Sequence, residues 1–237
     1  YFDKMLVLAD PSGRIWLATN MGIRLFDPRE EKYGEFLRLR SESGNSEMIN
    51  GIFFIQSDGG GNIWTDNFGS GISRFNPRIN RIQQVGSDPE LRFQLLTMWV
   101  NSLFEDHSGI LWIGTRQDGL ISYDPATNKL VRHGIPPFSR SGYQLAKSVS
   151  TICEASNGDI WFAHGGNFYR YERLAKEFHR VGILPEFDRH SLIGRRFGSI
   201  QREEPNIFWI CCQDQGIYRI DEALTTCTLF KWEEIGP

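Results

Sequence analysis

Five of the seven tryptophans, Trp16, Trp64, Trp112, Trp161 and Trp209, stand 48 or 49 residues apart along a chain of 237 residues. A fixed period of this length constrains the fold more than any bulk property, because a repeated unit must bury its core against copies of itself. Trp99 and Trp232 fall off the grid. Around each gridded tryptophan the flanks agree: "DPSGRIWLATNMGIRLFDP", "DGGGNIWTDNFGSGISRFNP", "DHSGILWIGTRQDGLISYDP", "ASNGDIWFAHGGNFYRYE" and "EEPNIFWICCQDQGIYRID".

Each unit reads as four short strands. An aliphatic recurs nine positions before the tryptophan, at Val7, Ile55, Leu103, Ile152 and Ile200, and marks a first strand. A polar turn follows, with Gly13, Gly61, Gly109 and Gly158 three positions before the tryptophan and Asn206 in the fifth copy. Glycine and asparagine tolerate the positive φ that a tight hairpin turn requires. The tryptophan strand comes next, then a second polar turn, then a third strand ending in Phe26, Phe75, Tyr123 or Tyr171. Pro28, Pro77 and Pro125 stop that strand, since proline donates nothing to a ladder. A fourth apolar segment closes each unit: "EFLRL", "RIQQV", "KLVRH", "EFHRV" and "CTLFKW".

In "ILWIG", "DIWFA" and "FWICC" the apolar residues run without alternation, so both faces of the second strand must be covered. Four-stranded antiparallel sheets covered on both faces, at a period in the forties, define an all-β fold, a β-propeller of four-stranded blades. The residue two after each tryptophan is small at Ala18, Gly114, Ala163 and Cys211, as expected where blades converge, and Asp66 breaks that pattern. The expected blades are 1–48, 49–97, 98–146, 147–195 and 196–237, which make the chain one propeller domain or a propeller fragment. Five blades either close a ring or form an arc of a larger one. A stacked solenoid is the competing architecture, disfavoured because its coils rarely need four strands.

The third unit, with its Glu-Asp turn, Gly-x-Leu-Trp-Ile-Gly-Thr strand and aromatic-Asp-Pro end, resembles the two-component regulator propeller repeat. The other units keep the turn, the tryptophan and the aromatic, and the fifth departs most. The resemblance implies a sensor propeller outside the cytoplasm, periplasmic or extracellular, in a bacterial hybrid two-component system. It implies an oligosaccharide or similar polar small ligand, and a signal passed through a membrane helix to a histidine kinase. Members of that family usually carry more repeats, in rings of about seven blades followed by a β-sandwich. The partners implied are thus further blades or kinase-linked domains of a parent chain. A homodimer is the expectation for an open arc.

Composition excludes several other classes. Hydrophobic residues at 40% and aromatics at 13% supply a substantial core. A net charge of -3, from 26 basic and 29 acidic residues, offers no basic stripe for nucleic acid. No apolar run reaches membrane-spanning length, so no membrane contact is expected of this segment. The chain opens on Tyr1 rather than Met, as expected of a piece of a longer protein. The four cysteines include the adjacent Cys211 and Cys212, which suit neither a bridge nor a metal knuckle, and read as small core residues.

No catalytic constellation is visible. Asp10, Asp58 and Asp106 occupy equivalent turns, which assigns them a structural role as acceptors of turn N–H groups. His107, His133, His164, His179 and His190 have no metal-ligand spacing, and His107 and His164 belong to turns on opposite rims. That separation weakens a comparison with metal-dependent lyases or lactonases of the streptogramin-inactivating type. No cofactor, metal or catalytic residue is assigned. Ligand binding is expected on the rim built from the turns between second and third strands. That rim offers Asn20, Asn67, Phe68, Arg116, Gln117, Asp118, His164, Asn167, Gln213 and Asp214, with Trp99 and Tyr143 as sugar-stacking aromatics. The alternative is a structural protein–protein interaction propeller.

Overall fold

The computed structural model describes residues 6–10, 13–19, 22–40, 46–48, 52, 54–58, 60–67, 71–77, 81–85, 99–135, 148–181, 197–203, 206–213 and 215–232. Two compact units divide the chain, Tyr1–Val100 and Asn101–Pro237.

The first unit holds two four-stranded antiparallel sheets. One runs β1 (Leu6–Ala9), β2 (Ile15–Thr19), β3 (Gly22–Asp27) and β4 (Lys32–Phe36) in sequential order. The second runs β7 (Ile55–Ser57), β8 (Ile63–Asn67), β9 (Gly71–Asn76) and β10 (Arg81–Gln84). Between them β5 (Arg38–Arg40) and β6 (Ser46–Met48) form a small hairpin that the repeat pattern did not announce. The fourth strand of the first sheet accordingly lies earlier than "EFLRL", over Lys32–Phe36.

The second unit holds three more sheets of the same order. They are β11 (Val100–Glu105) to β14 (Lys129–His133) through β12 (Leu111–Thr115) and β13 (Leu120–Asp124), then β15 (Val149–Glu154), β16 (Ile160–His164), β17 (Asn167–Glu172) and β18 (Glu177–Arg180). The last is β19 (Phe197–Glu203), β20 (Ile207–Cys212), β21 (Gly216–Asp221) and β22 (Cys227–Lys231). The second strands of the third and fourth sheets are buried at every residue, as the unbroken apolar runs required.

Turn chemistry explains the repetition. Gly13, Gly61, Gly109 and Gly158 all have φ between 78° and 85°, the left-handed region that only glycine enters without penalty. At the other strand-ending turn Asp27 Oδ1 accepts the N–H of Arg29 at 2.8 Å, and Asp124 Oδ1 that of Ala126 at 2.9 Å. The Asp of Asp-Pro thus caps the turn that its proline opens.

Within each unit the tryptophan of one sheet packs on an aromatic of the next. Trp16 meets Phe75 at a ring-centroid distance of 5.1 Å, Trp112 meets Tyr171 at 5.7 Å, and Trp161 meets Phe208 at 4.8 Å. Trp209, in the fifth sheet, is only half-buried and stacks on Phe230 of its own sheet at 5.8 Å. Val7, by contrast with the buried Leu103, Ile152 and Ile200, is 63% exposed.

Close approach of first and second strands explains the small residues. A Cβ on Gly114 would stand 2.2 Å from Ser102 Oγ and 2.8 Å from Val149 Cγ1 of the next sheet. Asp66 occupies the equivalent place in the second sheet because its carboxylate has a job there: Oδ1 accepts the Phe54 N–H at 2.7 Å.

Candidate functional site

The recurrent turn acids do more than cap backbone. Asp10 Oδ2 accepts the indole N–H of Trp16 at 2.9 Å, Asp58 Oδ2 that of Trp64 at 2.9 Å, and Asp106 Oδ2 that of Trp112 at 2.8 Å. Oδ1 of the same side chains takes the turn N–H of Arg14, Asn62 or Ile110 at 2.7–3.1 Å. One carboxylate therefore ties the hairpin to the core aromatic. In the fifth sheet the longer Glu203 reaches Trp209 Nε1 at 2.6 Å. In the fourth sheet the position is Ala155, and the carboxylate has moved to Asp159, where it accepts from Asn157 Nδ2 at 2.8 Å.

Neighbouring sheets of the second unit are latched through these turns. Glu154 accepts the His107 N–H at 2.9 Å and lies 2.5 Å from its Nδ1, while Arg173 Nη1 reaches Asp106 at 3.0 Å. Glu222 likewise accepts the Ser156 N–H at 3.0 Å and pairs with Arg202 Nε at 3.2 Å.

Two clefts open between sheets of this unit. The one between the third and fourth sheets, about 230 Å³, has Trp112, His133, Tyr171 and Arg173 among its walls. His133 Nε2 stands 2.8 Å from Ser122 Oγ, and its ring lies 5.1 Å from Trp112 and 4.9 Å from Tyr171. Burial pushes the His133 imidazole down to about 4. An imidazole held that low is mostly neutral at neutral pH and joins Ser122 as a hydrogen-bond partner. The cleft between the fourth and fifth sheets, about 320 Å³, is lined by Trp161, Arg170, Asn157 and Glu222 among others.

The rim residues expected to bind ligand are not uniformly presented. Arg116, Gln117 and Asp118 are exposed together in the turn from β12 to β13, where Asp118 Oδ1 accepts from Arg132 Nη1 at 3.2 Å. Gln213 is also exposed, and its carbonyl accepts the Trp232 indole N–H at 2.9 Å. His164 and Asn167, which pair across the β16–β17 hairpin, are buried instead. Burial holds His164 below the usual imidazole range, partly offset by a backbone hydrogen bond at Ser148. Trp99 is 50% exposed. Asn20, Phe68, Tyr143, His190 and Asp214 lie outside the described residues, and of Asn67 only the backbone is described.

Among the described residues no group of three or more His, Cys, Asp or Glu side chains could hold a metal ion. His107 sits in the β11–β12 turn and His164 at the far end of β16, at opposite ends of their strands. No helix among the described residues is long and apolar enough to cross a membrane. All four cysteines are free, and burial raises the Cys153 thiol to about 11.

Sequence reasoning missed both clefts. Beside the second, the aligned repeats show only the loss of the turn acid at Ala155.

Residues 94–117, which contain the first two strands of the third sheet, match the two component regulator propeller family. In fold the chain is similar to the extracellular domains of two hybrid two component systems of B. thetaiotaomicron. One is 15% identical, with a TM-score of 0.70 over 94% of this chain and 29% of that one. The other is 17% identical, with a TM-score of 0.69 over 95% of this chain and 28% of that one. PorZ, a surface component of the type-IX secretion system of Porphyromonas gingivalis, is 13% identical with a TM-score of 0.65, over 96% of this chain and 33% of PorZ. These likenesses establish the fold: the five sheets are propeller blades. A curated relative, histidine kinase P4 of Formosa agariphila, is 32% identical over 79 residues, 33% of this chain. The chain spans 6% of that kinase and a third or less of the solved neighbours.

Proposed function

We propose that this chain is part of the extracytoplasmic sensory region of a two-component histidine kinase, a non-catalytic propeller that binds an oligosaccharide or similar polar small ligand. The observation that carries the reading is the family match at residues 94–117. The fold likeness to extracellular domains of hybrid two component systems and the stretch shared with a histidine kinase support it. In this reading the five blades belong to a larger propeller of the parent protein.

The ligand surface proposed is the rim at the turns between second and third strands. Its best-presented part is the exposed Arg116–Gln117–Asp118 turn, which offers a guanidinium, an amide and a carboxylate to sugar hydroxyls. Calorimetric titration of the chain with a panel of oligosaccharides tests this. Saturable heat with one glycan class, weakened by Arg116→Ala and Asp118→Ala, is the expected result. Failure with every sugar alongside tight binding to a protein moves the assignment to a scaffold. The likeness to PorZ, a secretion-system surface component, favours that second reading, in which the propeller docks onto a partner or a second copy. Light scattering separates them: self-association independent of sugar belongs to the scaffold.

A further inference from the structure

Neighbouring blades of one unit join by a repeated rule. Each blade gives its tryptophan face to the blade that follows. The follower receives it on a face built from the residue just before its own tryptophan and the cross-strand partner of that residue. Trp16 accordingly clusters with Ile63 and Phe75 of the second blade, Trp112 with Ile160 and Tyr171 of the fourth, and Trp161 with Phe208 and Ile220 of the fifth. The aliphatic of the follower's first strand joins the same clusters, as Ile55, Ile152 and Ile200 show.

Two faces of the chain each carry one half of that joint and are open. On the fifth blade the side chains of β20 alternate. Phe208, Ile210 and Cys212 are buried against the fourth blade, whereas Ile207, Trp209 and Cys211 on the reverse are only half-buried. Ile217 and the 39% exposed Phe230, cross-strand partners in β21 and β22, extend this tryptophan face. On the first blade β2 alternates in the opposite sense: Trp16 and Ala18 are buried against the second blade, and Ile15 and Leu17 are half-buried. Phe26 beside Ile15 and Val7 beside Leu17 complete a receiving face. Val7 is 63% exposed where its counterparts Leu103, Ile152 and Ile200 are 4–7% exposed. In the fourth blade, which has a neighbour on each side, every residue of the second strand is buried. Apolar residues that sibling blades bury are thus held in water at both places, and covering them is favourable.

Charge favours pairing one with the other. Arg219 lies over Trp209 and Glu203 accepts from the same indole, while Asp221 at the foot of that face accepts the N–H groups of Thr225 and Thr226. The tryptophan face is therefore net negative. Arg24 is the charged side chain of the receiving face, held over the Tyr33 and Phe36 rings, and makes that face positive.

We infer that the open tryptophan face of the fifth blade docks on the open receiving face of the first blade of a second copy, head to tail, repeating the joint that the chain uses between its own blades. The inference deepens the self-associating scaffold reading and rests on it. A joint of this kind leaves one face free at each end of the assembly, so association runs past the dimer unless it closes into a ring.

Sedimentation velocity of the whole chain across a concentration series, without sugar, is the test. Sedimentation that rises with concentration beyond the dimer is expected. Val7→Glu and Phe230→Glu each place a carboxylate at a residue exposed in the single chain, so both variants should keep the parent chain's urea midpoint at a dilution where all are monomeric. Each should weaken self-association at least about tenfold. Mixed in equal amounts they regain one intact joint, the fifth blade of the Val7→Glu copy on the first blade of the Phe230→Glu copy, and should stop at a heterodimer. Self-association that neither variant weakens belongs to another surface, and it sinks this inference while the scaffold reading stands. Loss with only one of the variants means that like faces pair, and it overturns the head-to-tail joint, as does a mixture that forms no heterodimer. A chain that stays monomeric at every concentration leaves both faces to further blades or to another protein and overturns it as well.

Discussion

Replacing Asp106 by Ala tests the carboxylate–indole tie most sharply, because the structure accounts for each interaction lost. Asp106 is 4% exposed and accepts from Trp112 Nε1 at 2.8 Å, the Ile110 N–H at 3.0 Å, and Ser108 N–H and Oγ at 2.9 and 2.7 Å, with Arg173 paired at 3.0 Å. Hydrogen bonds to a charged group contribute about 1.5–3 kcal/mol each, and they are not additive within one network. Ser108 is exposed and Arg173 partly so, and both recover solvation from water. The Trp112 indole and the half-buried Ile110 N–H recover least, so Asp106→Ala should destabilise by about 3–5 kcal/mol.

Urea unfolding, read as the midpoint at unchanged slope, measures that change. Adding Trp112→Phe removes the donor as well, and the double-mutant cycle should return a coupling of about 1–2 kcal/mol. The same group has a pH signature. Burial pushes its pKa up, but the hydrogen bonds from Ser108, Trp112 and Ile110 and the Arg173 charge outweigh it and hold the carboxyl below its ordinary value. Its contribution is then complete above about pH 4 and is lost as pH falls through the lower folded value. A change within about 0.5 kcal/mol of the parent protein for Asp106→Ala would refute the reasoning, since that is the range of a surface substitution.

Three further outcomes follow from the packing and the titrating groups. Gly114→Ala should destabilise by about 1–3 kcal/mol in the same assay, because its methyl would overlap Ser102 and crowd Val149 of the next blade. His133, held near 4 by burial, is neutral when folded but protonates near its ordinary value when unfolded. Stability from its burial is therefore full above about pH 6.5 and declines as pH falls from there toward 4, which the imidazole proton shifts of the folded protein should show as a titration near 4. Cys153, with its thiol raised to about 11, should resist alkylation at pH 8 until the protein unfolds, and rapid labelling in the native state would contradict its burial.

The sequence made legible whatever recurs. Turn glycines with positive φ, the tryptophan strand and the Asp-Pro stop repeat because each blade solves the same local problem, and the five sheets stand where the period put them. Polar interactions between blades left no periodic trace, unlike the packing of Trp16 on Phe75 and of Trp112 on Tyr171. The pairing of His107 with Glu154 joins residues 47 apart through side chains whose counterparts in other blades differ, as Glu222 at Ser156 shows. Among the described residues the β5–β6 hairpin has no counterpart in another blade, so alignment of repeats had nothing to match it to. His164 looked like a turn residue by position. It ends the fully buried strand β16, and its neighbours decide its exposure. The turn acids were read as backbone acceptors, which they are. Their second oxygen, on the indole, needed coordinates.

Hydrogen exchange of the indole N–H protons under native conditions measures that arrangement most directly. Trp16, Trp64 and Trp112, buried and bonded to carboxylates, should exchange only when their blades open, and Trp209, half-buried, should exchange much faster. Fast, uniform exchange at all of them would show that the tryptophans are not held by their turn carboxylates, and the account would fall with them.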